Sequence, residues 1–139
     1  MEGATGNIHT NFIGKAHAAL KELEAGQDFV YLHVEAPDEC GHRNEIENKV
    51  RSIELIDEQV VETLIKGMEK YDDYRIMVLP DHPTPLSLRT HTSEPVPFLI
   101  YQKSSPKKAG VESYTEELAK TTGIYFPDGY KLMDYFLKS

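Results

Sequence analysis

The sequence predicts an α/β fold: a three-layer α/β/α unit with a mostly parallel sheet. Two apolar runs, Phe29–Val34 and Ile76–Leu79, flank a long stretch with helical periodicity. Strand, long helix, strand is the order of a βαβ crossover, which makes the strands parallel and the connection right-handed. Each run also ends near acidic and imidazole side chains, Asp38 and His42 after the first, Asp81 and His82 after the second. Open α/β sheets gather ligand groups in this way, because their strand ends line up along one edge.

Met1–Thr10 is rich in Gly, Thr and Asn and reads as loop. Met1–Gly6 resembles a turn from the middle of a protein, so the chain is expected to be a piece of a longer one. Asn11 can cap a helix running to about Glu24, with Ala16, Ala19, Leu20 and Leu23 on one face. Asp28–Val34 is β-branched and aromatic with little polarity, which suits a strand covered on both faces. Glu35–Asn44 is expected as loop, with Pro37 and Gly41 as breakers.

The second helix is expected from about Asn44 to Glu69. Ile46, Val50, Ile53, Ile56, Val60, Leu64 and Met68 recur in steps of three or four, and this helix and the first are expected to pack on the sheet through their apolar stripes. Arg75–Leu79 is the next strand. Pro80–Pro95 is a long loop, and such loops are usually functional or disordered. Val96–Tyr101 is a third strand, with Pro97 marking an edge or strand entry. Thr115–Thr121 is a short capped helix, and Asp128–Leu137 a closing amphipathic one.

The 139 residues fit one domain. The net charge of −8 and the lack of a basic stripe argue against nucleic-acid binding. The single cysteine, Cys40, gives no disulfide framework and points to a reducing, cytoplasmic setting. No run approaches the roughly 18 apolar residues of a membrane span, and no signal peptide is visible.

Asp38, His42, Asp81, His82 and His91 are the candidate metal ligands. Asp and His together suit Mn2+ or Zn2+ better than thiolate-seeking metals. Asp-x-x-x-His alone is commonly chance surface chemistry. Asp81-His82 directly after a strand is more telling, because charge beside buried apolar chain needs a partner. The alternative is that His82 and His91 only hydrogen-bond the loop that holds them. His9 has no clear role, His17 reads as exposed on a helix, His33 as a satisfied core histidine, and Cys40 as a small filler. Gly3–Gly6 lacks the spacing of a phosphate loop, and no serine sits in a nucleophile elbow.

Asp38-x-x-x-His42, Asp81-His82 and His91-Thr-Ser-Glu-Pro-Val-Pro resemble the C-terminal part of the cofactor-independent phosphoglycerate mutases of archaeal type, within the alkaline phosphatase superfamily. These are sometimes labelled proposed homoserine kinases. Gly3-Ala4-Thr5-Gly6 with Thr10-Asn11 resembles the entry of the same region. The resemblance implies two divalent metal ions, Mn2+ or Zn2+. Asp38, His42 and His91 match the ligands of one, and Asp81 and His82 match part of the second, incomplete here. It implies a parent enzyme that converts 3-phosphoglycerate to 2-phosphoglycerate, with a nucleophilic Ser in an N-terminal half absent from this chain. No catalytic residue is then expected in this segment, which would be inactive alone and open to self-association through an uncovered strand edge. The alternatives are another phosphohydrolase or phosphodiesterase of the superfamily, or a non-catalytic metal-binding module.

Overall fold

The computed structural model describes residues 2–138. Met1, part of the expected opening loop, lies outside them. The chain divides into two compact units: one runs to Lys70 and includes Thr84–Thr92, the other takes Tyr71–Pro83 and the residues from Ser93 onward.

The first unit is helical. Helix α1 spans Phe12–Glu24, and the Asn11 side chain accepts from the Gly14 N–H at 2.9 Å, as its cap position predicts. Helix α2 is Ala36–Arg43 and α3 is Ile46–Leu55. A π segment, Ile56–Val61, then runs into α4, Glu62–Met68, so the long helix expected from Asn44 to Glu69 is formed with a wider turn inside it. Phe12, Ala16, Ala36 and Val60 form the buried core, with Leu32, Val34, Leu55, Ile56 and Leu64 packed against it. The apolar stripe divides at the π segment. Val60 and Met68 are buried, whereas Ile46, Val50 and Ile53 are more than half exposed. The packing of α3 through that stripe is therefore corrected; Ser52, buried and bonded to the Lys49 carbonyl at 2.7 Å, occupies its inner face.

Asp28–Val34 is a second correction. It is not a strand among the described residues, and the parallel pairing expected of it is not formed. A strand needs a hydrogen-bonded neighbour, and this segment has no ladder. Its alternation nevertheless survives: Val30, Leu32 and Val34 are half-buried, while Phe29, Tyr31 and His33 are exposed. One face is covered, not both. His33 is therefore no core histidine; its ring stacks beside Tyr31, with centroids 6.2 Å apart.

The second unit carries the sheet, which among the described residues has two strands. β1 is Arg75–Val78 and β2 is Leu99–Gln102, paired antiparallel with Arg75 opposite Gln102 and Val78 opposite Leu99. The expected third strand thus starts after Pro97, and the pairing is antiparallel where a parallel sheet was expected. Direct pairing of consecutive strands through a returning loop gives an antiparallel ladder, whereas parallel neighbours require a crossover. Asp73 clasps the sheet end, accepting from Gln102 Nε2 at 2.8 Å, the Ser104 N–H at 2.9 Å and Ser104 Oγ at 2.8 Å. These bonds pull its carboxyl to about 2, the Gln102 bond contributing most. Tyr114 donates to the Pro97 carbonyl at 2.9 Å, and burial pushes its hydroxyl up to about 12. Helix α5, Glu116–Thr121, is capped by Thr115, and α6, Tyr130–Lys138, buries Leu132. The elements are α/β in class. Among the described residues no helix is long and apolar enough to cross a membrane.

Candidate metal centre

The segment expected as a loop at Glu35–Asn44 is the helix that creates the site. Pro37 lies in its first turn, where a missing N–H costs nothing. Asp38 and Glu39 follow in that turn, where carboxylates suit the helix N-terminus. Asn44 ends the helix in the left-handed conformation at φ 58°, and the N–H of Glu45 reaches the Cys40 carbonyl at 2.9 Å. These are helix start and stop signals, and they outweigh the reading of Pro37 and Gly41 as breakers. Helicity puts Asp38 and His42 one turn apart on the same face. Cys40 turns inward, is buried, and has its thiol pushed up by burial, then by Glu45.

His91 completes the cluster. His42 Nε2 lies 3.3 Å from Asp38 Oδ2, His91 Nε2 lies 3.3 Å from Asp38 Oδ1, and the two Nε2 atoms are 3.0 Å apart. His42 Nδ1 is 2.9 Å from the Arg89 carbonyl oxygen. A carbonyl only accepts, so Nδ1 carries a proton, which leaves Nε2 as the nitrogen of this ring that can ligate. This tie from the second ring nitrogen is how proteins orient metal-binding histidines. Arg89 is itself in the left-handed region at φ 55°, closing a turn whose Leu88 and Arg89 N–H groups both reach the Pro85 carbonyl.

The donor set fits a divalent cation. Four ligands at about 2.0–2.1 Å around a tetrahedral ion are about 3.3–3.4 Å from one another. The two imidazole Nε2 atoms, 3.0 Å apart and each 3.3 Å from an oxygen of Asp38, are close to the donor spacing of such a shell. One carboxylate and two imidazoles suit both Zn2+ and Mn2+.

Asp81 and His82 belong to the second unit. The His82 N–H reaches Asp81 Oδ1 at 3.1 Å, and His82 Nε2 lies 3.4 Å from Asp81 Oδ2. Asp81 is exposed and His82 half-buried. Thr84 and Lys49 were not singled out from the sequence. Thr84 is buried and donates to Asp38 Oδ1 at 2.5 Å, while Lys49 Nζ donates to the Thr84 carbonyl at 2.6 Å. The two prolines around Thr84 were the available signal, since they hold its backbone extended. In the Gly3–Gly6 turn, Thr5 Oγ1 and the His9 N–H both bond Asn7 Oδ1, at 3.1 and 2.9 Å. That turn is closed on itself.

Residues 1–126 match the model of the metalloenzyme superfamily. A probable 2,3-bisphosphoglycerate-independent phosphoglycerate mutase of Geobacter sulfurreducens is 52% identical, over 99% of this chain and 34% of that protein. A 2,3-bisphosphoglycerate-independent phosphoglycerate mutase of Methanosarcina mazei is 41% identical, over 100% of this chain and 35% of that one. The solved structure of the PH0037 protein from Pyrococcus horikoshii superposes with a TM-score of 0.72 at 31% identity, over 86% of this chain and 35% of that chain. The chain thus spans about a third of the length of the relatives it matches.

Proposed function

The chain belongs to the metalloenzyme superfamily, and from that premise we propose that it is the metal-binding part of a 2,3-bisphosphoglycerate-independent phosphoglycerate mutase. In this reading Asp38, His42 and His91 hold one divalent cation, Mn2+ or Zn2+, and Asp81 with His82 supplies part of the ligand set of a second. The observation that carries it is the convergence of one carboxylate and two imidazole Nε2 atoms at 3.0–3.3 Å. The names of the relatives at 52% and 41% identity support the choice of reaction.

When bound, divalent cations supply charge that offsets the phosphoryl oxygens of a phosphoglycerate in transfer. The protein's share of the work is placement. Asp38 provides the anionic ligand, and His42 is held by Arg89 in the tautomer whose Nε2 can ligate. His91 closes the set from the far end of the same loop. The reaction class needs a nucleophile that accepts and returns the phosphoryl group. No serine of this chain has the flanking glycines of a nucleophile elbow. The 139-residue chain alone is therefore expected to bind metal and not to interconvert phosphoglycerates.

In a longer protein of the length of its relatives, Phe29–Val34, which here has one covered face and no ladder, is proposed to pair as a strand of a mostly parallel sheet in a three-layer α/β/α domain. Its exposed Phe29 and Tyr31 give the chain apolar surface through which it is expected to self-associate. A cytoplasmic setting is proposed from the buried, unpaired Cys40.

The test has two arms. Titration calorimetry with Mn2+ and with Zn2+ should show binding to the chain that is lost in Asp38→Asn. A coupled enolase assay should show turnover by the full-length Geobacter sulfurreducens relative and none by this chain. Absence of metal binding would sink the site, and turnover by the chain alone would show that a nucleophile has been overlooked.

A further inference from the structure

We infer that Thr84 is a positioning residue for the metal centre, seated by Lys49 and Gly41. The inference rests on the metal reading of Asp38, His42 and His91 and extends it to groups that ligate nothing.

Thr84 is buried, and its hydroxyl donates to Asp38 Oδ1 at 2.5 Å. A helical Asp side chain otherwise samples several rotamers, and this bond selects the one that faces His42 and His91. The carbonyl of Thr84 accepts from Lys49 Nζ of α3 at 2.6 Å. A half-buried cation thus bonds a neutral backbone group, which makes that group a strong anchor. Gly41 of α2 makes room for both. A Cβ there would lie 2.7 Å from the Thr84 carbonyl oxygen, 2.9 Å from Thr84 Cγ2 and 2.9 Å from Lys49 Nζ. Backbone oxygen at that distance cannot be displaced without moving the loop.

The loop that begins at Thr84 serves all three ligands. Thr84 itself bonds Asp38, the Arg89 carbonyl orients His42, and His91 is the third ligand. The Lys49 bond fixes where the loop starts relative to α2 and α3. Through Thr84, then, the chain sets the geometry of a centre whose ligands come from a helix and a loop.

The test compares metal affinity with apo stability on the full chain. Mn2+ binding is measured by calorimetry, and the metal-free melting temperature by circular dichroism. Thr84→Val keeps the shape and removes the hydroxyl, and should weaken Mn2+ binding by roughly 10–100-fold, the range for outer ligand-orienting groups. Thr84→Ser should bind as the parent does. Should Thr84→Val fail to fold, Thr84→Ser against Thr84→Ala isolates the same hydroxyl, since both lack the methyl. Gly41→Ala, which displaces the Thr84 carbonyl, should weaken binding in the same direction. A metal-free melting temperature that stays put while affinity falls supports positioning. Unchanged Mn2+ affinity in the variants that lack the hydroxyl, in a chain whose binding Asp38→Asn abolishes, overturns the role of Thr84 and leaves the metal reading standing. No Mn2+ or Zn2+ binding by the parent chain overturns both.

Discussion

Asp38, His42 and His91 differ from Asp81 and His82 in how they are held, although the chemistry is the same. In the first set every side chain has a bonded setting. Asp38 receives Thr84, His42 is tied through Nδ1 to Arg89, and His91 meets both partners at 3.0–3.3 Å. In the second set an exposed aspartate and its sequence neighbour face each other at 3.4 Å. In the first, bonds to Thr84 and to the Arg89 carbonyl hold the carboxylate and an imidazole in place. A set of ligands becomes a site when a second layer of bonds fixes tautomer and rotamer, and that layer is invisible to spacing.

The largest effects should separate the two sets. His91→Ala and His42→Ala are expected to weaken the first cation by more than about 100-fold, beyond the ~10–100-fold usual for outer-layer changes. His82→Ala should weaken that cation less. Calorimetry with Mn2+ measures both, and an equal loss in all three variants would erase the distinction.

The supporting cores come next. Phe12 and Ala36 share one buried cluster, so Phe12→Ala should cost about 3–5 kcal/mol and disturb the seat of α2 with it. Leu132→Ala in the second unit should cost about 2–5 kcal/mol of stability yet leave the first cation bound in the fraction that stays folded. Urea unfolding with and without Mn2+ distinguishes these outcomes. A variant at Leu132 that abolished binding while still folded would break the comparison.

Smaller effects test the turns. Asn44 at φ 58° closes α2, and Asn44→Val should cost about 1–2 kcal/mol, since β-branched residues resist the left-handed region. Asn44→Gly should not destabilise comparably. The last and smallest concerns pH. Asp73 titrates near 2, below the usual carboxylate range, because Gln102, Ser104 and Tyr74 donate to it. Its contribution is complete above its ordinary value and is lost as pH falls between about 4 and 2. The stability difference between the parent chain and Asp73→Asn should therefore shrink across that window; a difference that grows on acidification would reverse the sign.

Much of this was legible in the residues, and the failures have physical causes. The Asn11 and Thr115 caps follow from side chains that accept local N–H groups, and the structure forms both. Asp38, His42 and His91 could be picked by residue type. The helix carrying the first two could not, because Pro and Gly break a helix interior yet suit a first turn or a close contact, and residue type alone does not tell these apart. Pro37 sits in a first turn and Gly41 faces Thr84, which turns both from obstacles into requirements. The Phe29–Val34 run shows the opposite error. Its composition predicts burial on two faces, but composition cannot supply a neighbouring strand, and the segment lies extended with one face open. The periodicity of α3 likewise predicted packing for Ile46, Val50 and Ile53, which are exposed. Period states that a face is apolar, and the neighbours available decide whether it is covered.

The central claim is that one cation sits among Asp38, His42 and His91. Diffraction from crystals of the chain grown with Mn2+, collected above and below the manganese absorption edge, tests it directly. The account predicts an edge-dependent peak within about 2.0–2.2 Å of Nε2 of both histidines and an oxygen of Asp38, with His42 Nδ1 still on the Arg89 carbonyl. A crystal saturated with manganese that shows its peak elsewhere, or shows His42 turned to ligate through Nδ1, would contradict it.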